Sequence, residues 1–203
     1  MLRLIFVILL LAPGLYAQPE GQLSVEEKSE ITDHLTRSWD KLENLLAGLS
    51  VEQWRYKPVD TVWSIVEISE HLEKSETSLF GLVSDQLTKS NPQPEKAREA
   101  GDKTKIVMDA ITSRDHKQKT RPELEPTEGY DTPQEFLESF EQLRDTSIQY
   151  ASHTEDKLRH YFISFGPLGE LDGYQILMFM SGHLERHIQQ IEEVMKDPNY
   201  PST

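Results

Sequence analysis

Two histidines near the C-terminus, His183 and His187, have the spacing of metal ligands. They lie four residues apart within the segment from Gly182 to Gln190. Four steps of about 100° bring an α-helix almost back to the same face, so both imidazoles project from one side if this segment is helical. The pair is therefore a candidate for part of a metal site.

The same two imidazoles point into the apolar side of that helix. Counting about 100° per residue places them among Phe179, Met180 and Ile191. A buried polar group without a partner costs roughly 1–3 kcal/mol, so each ring needs a hydrogen-bonding partner or a metal. Two interpretations stay open on spacing alone, satisfied core histidines and metal ligands. A third ligand from another helix would decide between them.

His71 is a histidine on another predicted helix. It falls about 80° from the centre of that helix's apolar stripe, on the shoulder beside Ser75 and Leu82. Such a position can face a cleft between helices, but a lone histidine there is more often a surface or boundary residue. Spacing alone does not select His71 as the third ligand.

The bulk composition limits the classes of function. The chain has 203 residues and a formal net charge of −14, which suits one acidic domain with a sizeable core. Nucleic acid is a poor partner for this chain, because phosphate binding needs a basic face and none appears in the sequence. The sequence contains no cysteine, which excludes disulfides, thiolate ligands and cysteine nucleophiles.

The segment from Met1 to Ala17 has the pattern of a secretory signal peptide. Arg3 supplies positive charge, the run from Leu4 to Leu11 is apolar, and Ala17 is a small residue before the expected cleavage point. The apolar run is too short to span a bilayer; the alternative is an uncleaved N-terminal anchor. We expect an exported protein, periplasmic or extracellular, that begins near Gln18 and has no stable membrane insertion after cleavage.

Four capping boxes predict four long amphipathic helices. Each box has a Ser, Thr or Asp followed three residues later by Glu or Gln, and apolar residues recur at helical spacing behind it. The boxes are Ser24-x-x-Glu27, Ser64-x-x-Glu67, Thr132-x-x-Glu135 and Asp172-x-x-Gln175. The second helix should extend from about Ile65 to Leu87. The sequence therefore predicts an all-α fold over residues 24–201, a four-helix bundle with a long crossover between helices two and three and a short extra helix.

The crossover and the aromatic residues complete this prediction. Lys89 to Gly101 is polar and proline-containing and is expected to be a connector, and Lys103 to Ile111 is expected to be the extra helix. The segment from Thr112 to Asp131 is predicted to be a loop over one end of the bundle. An up-down-down-up topology fits a crossover of this length, and no strand pair is predicted.

Three aromatic residues are expected to pack in the core or against loops, with pocket lining as the alternative. They are Trp39, Trp54 and Tyr56, the last two in a loop to Pro58.

Motifs in the second and last helices resemble the DinB-like superfamily, which includes the YfiT-like metalloenzymes. The motifs are Trp63-Ser64-Ile65-x-Glu67-Ile68-x-x-His71-Leu72, Gly169-x-Leu171-Asp172-Gly173-Tyr174-Gln175, His183-x-x-Arg186-His187-Ile188-x-Gln190-Ile191 and Tyr200-Pro201. The resemblance covers nearly the whole chain after the leader, and it implies a four-helix bundle in which three histidines from two helices hold a divalent metal ion.

Carried over to this sequence, the resemblance implies that the metal ligands are His71, His183 and His187. Three neutral imidazoles leave an open coordination position, as in catalytic sites, and they suit zinc or nickel. The nearest candidates to orient the imidazoles by hydrogen bonds are Glu67 and Gln190, although Glu67 can serve as a capping residue alone. The remaining histidines match no ligand of the family and are expected at the surface; they are His34, His116, His153 and His160.

Three functions are compatible with such a site. The first is a metal-dependent hydrolase acting on a small-molecule substrate, in which the metal makes a hydroxide nucleophile from bound water. The second is a thiol transferase in which the metal activates a thiolate, as the resemblance implies for some members. Low-molecular-weight thiols belong to the cytosol, which disfavours this reading for an exported chain. The third is a non-catalytic module that is stabilised by its metal and binds a partner or forms a homodimer.

Overall fold

The computed structural model describes residues 19–115, 119–127 and 129–202. The predicted signal peptide, its cleavage point near Gln18 and His116 lie outside the described residues. Within them the chain forms seven α-helices and one two-stranded hairpin. They are α1 (Val25–Leu46), α2 (Val51–Arg55), α3 (Ile65–Gly81), α4 (Pro94–Ala100), α5 (Thr104–Thr112), α6 (Pro133–His153), β1 (Phe162–Ser164), β2 (Glu170–Asp172) and α7 (Gly173–Met195). No helix in the described part of the chain is long and apolar enough to cross a membrane.

The four predicted capping boxes are present at the start of the four long helices. In α1, α3, α6 and α7 the N-cap side chain accepts the amide hydrogen bond of the third helical residue, whose own side chain accepts the N-cap amide. Each pair of bonds satisfies two of the amides that a helix N-terminus leaves without partners. A fifth box, Ser50 with Gln53, begins the short helix α2. The expectation that Trp54 lies in a loop is therefore wrong.

Two apolar clusters along the bundle show the direction of each long helix. The first cluster includes Ile31 of α1, Leu79 of α3, Ala151 of α6 and Ile176 of α7. The second cluster includes Leu42 of α1, Ile65 of α3, Phe136 of α6 and Ile191 of α7. Helices α1 and α7 thus run from the first cluster to the second, whereas α3 and α6 run the opposite way. The predicted up-down-down-up bundle is confirmed, and α1 and α3 each pack against both α6 and α7.

The aromatic residues have the predicted packing role. Trp39 and Trp54 are buried in the second cluster, and Tyr56 packs against the cluster's edge. The ring of Trp39 stacks on Phe140 at 5.7 Å between centroids, and aromatic pairs of this kind add to the stabilisation that burial provides. These rings join α1 and α2 to α6 at the end of the bundle where α3 begins.

Two connecting segments and the end of the second long helix differ from the prediction. The connector from Lys89 to Gly101 contains the helix α4, which begins at Pro94. The strands β1 and β2 pair antiparallel, with Ile163 opposite Leu171, although no strand pair was predicted. Three-residue strands are too short to show an alternating pattern in the sequence. The second long helix reaches Leu87 as expected, but its last turn from Leu82 is π-helical.

A buried ion pair lies between the two apolar clusters. Arg144 of α6 is 0% exposed and Glu76 of α3 is 4% exposed. Arg144 Nη2 donates to Glu76 Oε2 over 3.1 Å, and Ser147 donates to the other carboxylate oxygen over 2.9 Å. The pair joins α3 to α6 inside the core. Removing one partner of a buried pair is costly because it leaves the other charge uncompensated.

We expect Arg144→Met to lower the free energy of unfolding by about 3–5 kcal/mol, since Glu76 would keep its buried charge without the guanidinium. The double variant Glu76→Met with Arg144→Met should regain most of that loss, because apolar side chains of similar volume replace the whole pair. Urea unfolding in the presence of a chelator measures both variants. A double variant as unstable as the single one would contradict this account.

Helix α5 packs closely on α7 next to the two C-terminal histidines. A methyl group on Gly182 would lie 2.4 Å from Ile111 Cγ2, which is closer than carbon atoms pack, and 3.2 Å from Met108 Sδ. One turn further along α7, Arg186 Nη1 donates to the carbonyl of Ser113, the residue that follows α5. The absence of a side chain at Gly182 therefore lets α5 cover the face of α7 beside His183.

We expect Gly182→Ala to lower the free energy of unfolding by about 1–3 kcal/mol, because the added methyl overpacks the contact with Ile111. The matched control is Gly81→Ala, where the backbone is helical and an added methyl meets nothing within 4 Å. That change should stabilise the protein by about 0.5–1 kcal/mol, as alanine does in helices. Thermal unfolding of both variants checks the sign, and a neutral Gly182→Ala would argue against the close packing.

Candidate metal centre

Three imidazoles from two helices converge in the bundle. His71 is carried by α3, and His183 and His187 by α7. The Nε2 atom of His183 lies 3.4 Å from Nε2 of His71 and 3.2 Å from Nε2 of His187. One ligand nitrogen from each ring lies within 4.8 Å of the others. The antiparallel packing of α3 on α7 brings the three residues together.

The two separations at His183 suit ligands of one metal ion. Two nitrogens bound at 2.0–2.1 Å to a tetrahedral zinc ion lie about 3.3–3.4 Å apart. The two Nε2 separations at His183 are close to this value. Three protein ligands also leave a fourth tetrahedral position for water or substrate, which distinguishes catalytic zinc sites from closed structural ones.

Hydrogen bonds at the opposite ring nitrogens direct the lone pairs toward the same point. His71 Nδ1 donates to the carbonyl of Leu124 over 3.0 Å, and His187 Nδ1 donates to Gln190 Oε1 over 2.9 Å. Because a carbonyl oxygen only accepts, each Nδ1 carries the proton and each Nε2 of these neutral rings presents a lone pair. Both lone pairs point at His183, which has one N–H at most to donate while neutral. The donor set therefore fits a cation at the centre, and the paired Nδ1 bonds are typical of metal-binding histidines.

Burial keeps the three imidazoles neutral. His71 is 5% exposed and His187 is 7% exposed, whereas His183 is partly exposed. Desolvation, reinforced by the neighbouring His71, lowers the pKa of His183 to about 3. Desolvation also lowers the pKa of His71, and it lowers that of His187 well below the ordinary value. At neutral pH the rings are thus in the form that binds a metal.

Aromatic rings and two hydroxyls border the three imidazoles. The ring of Trp63 lies 5.2 Å from that of His71, and Phe179 stacks on His183 at 5.9 Å. Ser75 Oγ lies 3.4 Å from Nε2 of His71, and Thr120 Oγ1 lies 3.4 Å from Nδ1 of the same ring. The site therefore has apolar walls, and His183 is the ligand nearest to solvent.

The two residues proposed to orient the imidazoles have different positions. Gln190 accepts from His187, as described above. Glu67 instead accepts the amide of Ser64 in the capping box and forms an ion pair with Lys57 over 2.8 Å. The acceptor for His71 is the carbonyl of Leu124, which sequence reasoning missed. A backbone carbonyl is common to every residue, so no side-chain pattern in the sequence could have indicated it.

The other histidines do not join the cluster within the described residues. His153 is exposed as predicted, and His34 is partly exposed. His160 is buried at 5% exposure, so its prediction as a surface residue is wrong. Its ring packs on Gly21, where an added methyl would lie 2.6 Å from ring carbons. The residues before α1 fold back over it, and this long-range contact left no signal in the local sequence.

Comparison with known proteins identifies the family of this chain. The family model of the DinB superfamily matches residues 34–191, which include all three histidines. The chain belongs to the DinB superfamily. A protein of Bacillus subtilis (strain 168), the uncharacterized protein YuaE, is 22% identical over 151 residues, which cover 74% of this chain and 88% of that protein. No solved structure matches the chain significantly.

We expect metal binding at pH 6 to release fewer than one proton per ion. Three histidines with an ordinary pKa of about 6.5 would be mostly protonated at that pH and would release about two protons. The pKa values at this site are lowered, most strongly at His183 and His187, so the metal displaces fewer protons here. Calorimetric titration with Zn²⁺ in two buffers of different ionisation enthalpy measures the number directly. Release of two protons or more would mean that the imidazoles are not held neutral.

Proposed function

We propose that this DinB superfamily protein is a metal-dependent enzyme with a tri-histidine site. The observation that carries the proposal is the convergence of the imidazole lone pairs of His71 and His187 on His183. Neutral nitrogen donors without thiolates or carboxylates favour zinc or nickel as the bound ion. The open coordination position gives a substrate access to the metal.

Hydrolysis is the reaction that we favour. A zinc ion held by these histidines would act as a Lewis acid and would lower the pKa of coordinated water to about 7. The protein's own groups orient the ligands through Leu124 and Gln190 and surround them with the rings of Trp63 and Phe179. An apolar wall strengthens electrostatic interactions at the site because it limits access of bulk water.

We also infer that the protein is exported and that its leader is removed near Ala17. The support is the pattern of Arg3 followed by a short apolar run. Export separates the protein from cytosolic thiols, which is why we place hydrolysis before thiol transfer. N-terminal sequencing of the protein recovered from the periplasm or the medium tests this inference, and a retained Met1 would contradict it.

Burial of two of the three ligands supports a second candidate, a structural ion in a non-catalytic module. His71 and His187 are both below 10% exposed, as ligands of a closed site are. An ion that binds only the folded form stabilises it by mass action. The two candidates differ in whether a metal-dependent reaction accompanies that stabilisation.

We expect the triple variant His71→Ala, His183→Ala and His187→Ala to lose the bound metal when purified protein is examined by elemental analysis. The matched control is His153→Ala, which removes an exposed histidine of α6 and should leave the metal content unchanged. Circular dichroism shows whether each variant folds. Wild-type metal content in the folded triple variant would rule out this site.

We expect the metal-loaded protein to hydrolyse a member of a panel of esters, amides and phosphate esters, with a rate that rises as the pH passes about 7. Chelation should abolish the activity, and returning Zn²⁺ or Ni²⁺ should restore it. Melting with and without chelator is measured in parallel. A large loss of thermal stability on chelation, with no reaction across the panel, would favour the structural ion.

A further inference from the structure

Four side chains on one stretch of α3 hold the crossover against the metal site. They lie between residues 70 and 74, and each bonds to the crossover between residues 124 and 130. Glu70 accepts the amides of Thr127 and Gly129, His71 donates to the carbonyl of Leu124, Glu73 accepts the hydroxyl of Tyr130, and Lys74 donates to the carbonyl of Glu125 and to Thr127 Oγ1. The described part of the crossover is therefore tied to the helix turn that carries a ligand.

Glu70 is the most deeply buried of these anchors. It is 2% exposed, and its two carboxylate oxygens accept separate backbone amides, Oε2 from Thr127 and Oε1 from Gly129. Hydrogen bonds from backbone amides to a carboxylate are stronger than those between neutral groups. A buried carboxylate is tolerated only with such partners. The two bonds thus fix the backbone of the crossover at a defined distance from α3.

This fixed backbone carries the acceptor for His71. Leu124 ends a 3₁₀ turn that begins at Pro122, and its carbonyl lies 3.0 Å from His71 Nδ1. Only Glu125 and Pro126 separate Leu124 from the Thr127 amide held by Glu70. Glu70, the neighbour of His71 in sequence, therefore sets the position of the Leu124 carbonyl by holding the crossover backbone at Thr127.

We propose that Glu70 is a positioning residue for the metal site, which it orders by holding the crossover so that the Leu124 carbonyl orients His71. The proposal rests on the tri-histidine function proposed above. By reciprocity, an ion that fixes His71 also strengthens the docking of the crossover on α3. Binding of the ion and docking of the segment from residue 119 to 127 are coupled through a single imidazole.

The test is Glu70→Gln, which keeps the size of the side chain but removes its charge and places an NH₂ donor opposite one of the two amides. We expect the dissociation constant for Co²⁺ to rise about 10-fold, the lower end of what loss of a ligand's hydrogen-bonding support costs. The visible absorption of the Co²⁺ protein should shift toward that of His71→Ala. Hydrogen exchange in peptides covering residues 119–127 should become faster, and added metal should slow it less than in the wild type.

The matched control is Glu27→Gln. Glu27 also accepts a backbone amide, that of Ser24, and pairs with Arg159, but it lies at the start of α1 at the other end of the bundle. It should leave the Co²⁺ spectrum and affinity unchanged. If Glu70→Gln fails to fold, Thr127→Pro is the second variant. It changes an exposed residue, removes the amide that donates to Glu70 together with the hydroxyl that Lys74 contacts, and should produce the same spectral shift.

The outcomes separate this proposal from the one that it rests on. If His71→Ala weakens Co²⁺ binding but the folded Glu70 and Thr127 variants bind with wild-type affinity and spectrum, the role of Glu70 is overturned and the metal site stands. An altered spectrum in the Glu27 control would also overturn it, because the effect would then be general. If His71→Ala binds Co²⁺ like the wild type, the tri-histidine site itself is wrong and the role of Glu70 falls with it.

Discussion

The candidate site depends on two imidazoles, His71 and His187, whose Nε2 lone pairs converge on His183 inside the helix bundle. The Nδ1 atoms of His71 and His187 donate outward, so their Nε2 atoms present lone pairs. A neutral His183 can donate to only one of them, and Ser75 Oγ is within 3.4 Å of Nε2 of His71. A cation at the centre would satisfy these lone pairs together, as it does for metal-binding histidines. The helix ends, the crossover and the covering helix α5 all bear on how these rings are held.

The core of the bundle consists of two apolar clusters with polar residues between them, and the three imidazoles meet at this polar level. Apolar clusters fill the two ends. The described residues between them include the Glu76–Arg144 pair and four buried serines, Ser38, Ser75, Ser147 and Ser181. His183 belongs to the same level of α7, between Met180 of the first cluster and Leu184 of the second. Polar groups in the middle of the bundle restrict how the helices can slide, because each must keep its partner. The register of α3 against α7 is what places His71 opposite the C-terminal pair.

The crossover links the site to the rest of the fold. It connects two parallel helices, α3 and α6, and so must return along the length of the bundle. Its Leu124 carbonyl accepts a hydrogen bond from His71, and its Thr127 amide and Tyr130 hydroxyl donate to the carboxylates of Glu70 and Glu73. The described part of its segment from Thr112 to Asp131, which the sequence predicts only as a loop, thereby forms one wall of the tri-histidine site.

The sequence by itself determined what depends on neighbours along the chain. Capping boxes located the four long helices, and the spacing of four residues placed His183 and His187 on one helix face, because helical geometry is local. The selection of His71 came from family resemblance, since its position on the helix left it ambiguous. Only the tertiary structure decided the Leu124 acceptor, the buried His160 and the Glu76–Arg144 pair. Each joins residues that are distant in sequence, and their separation is set by the rotation and register of packed helices, which no local pattern records.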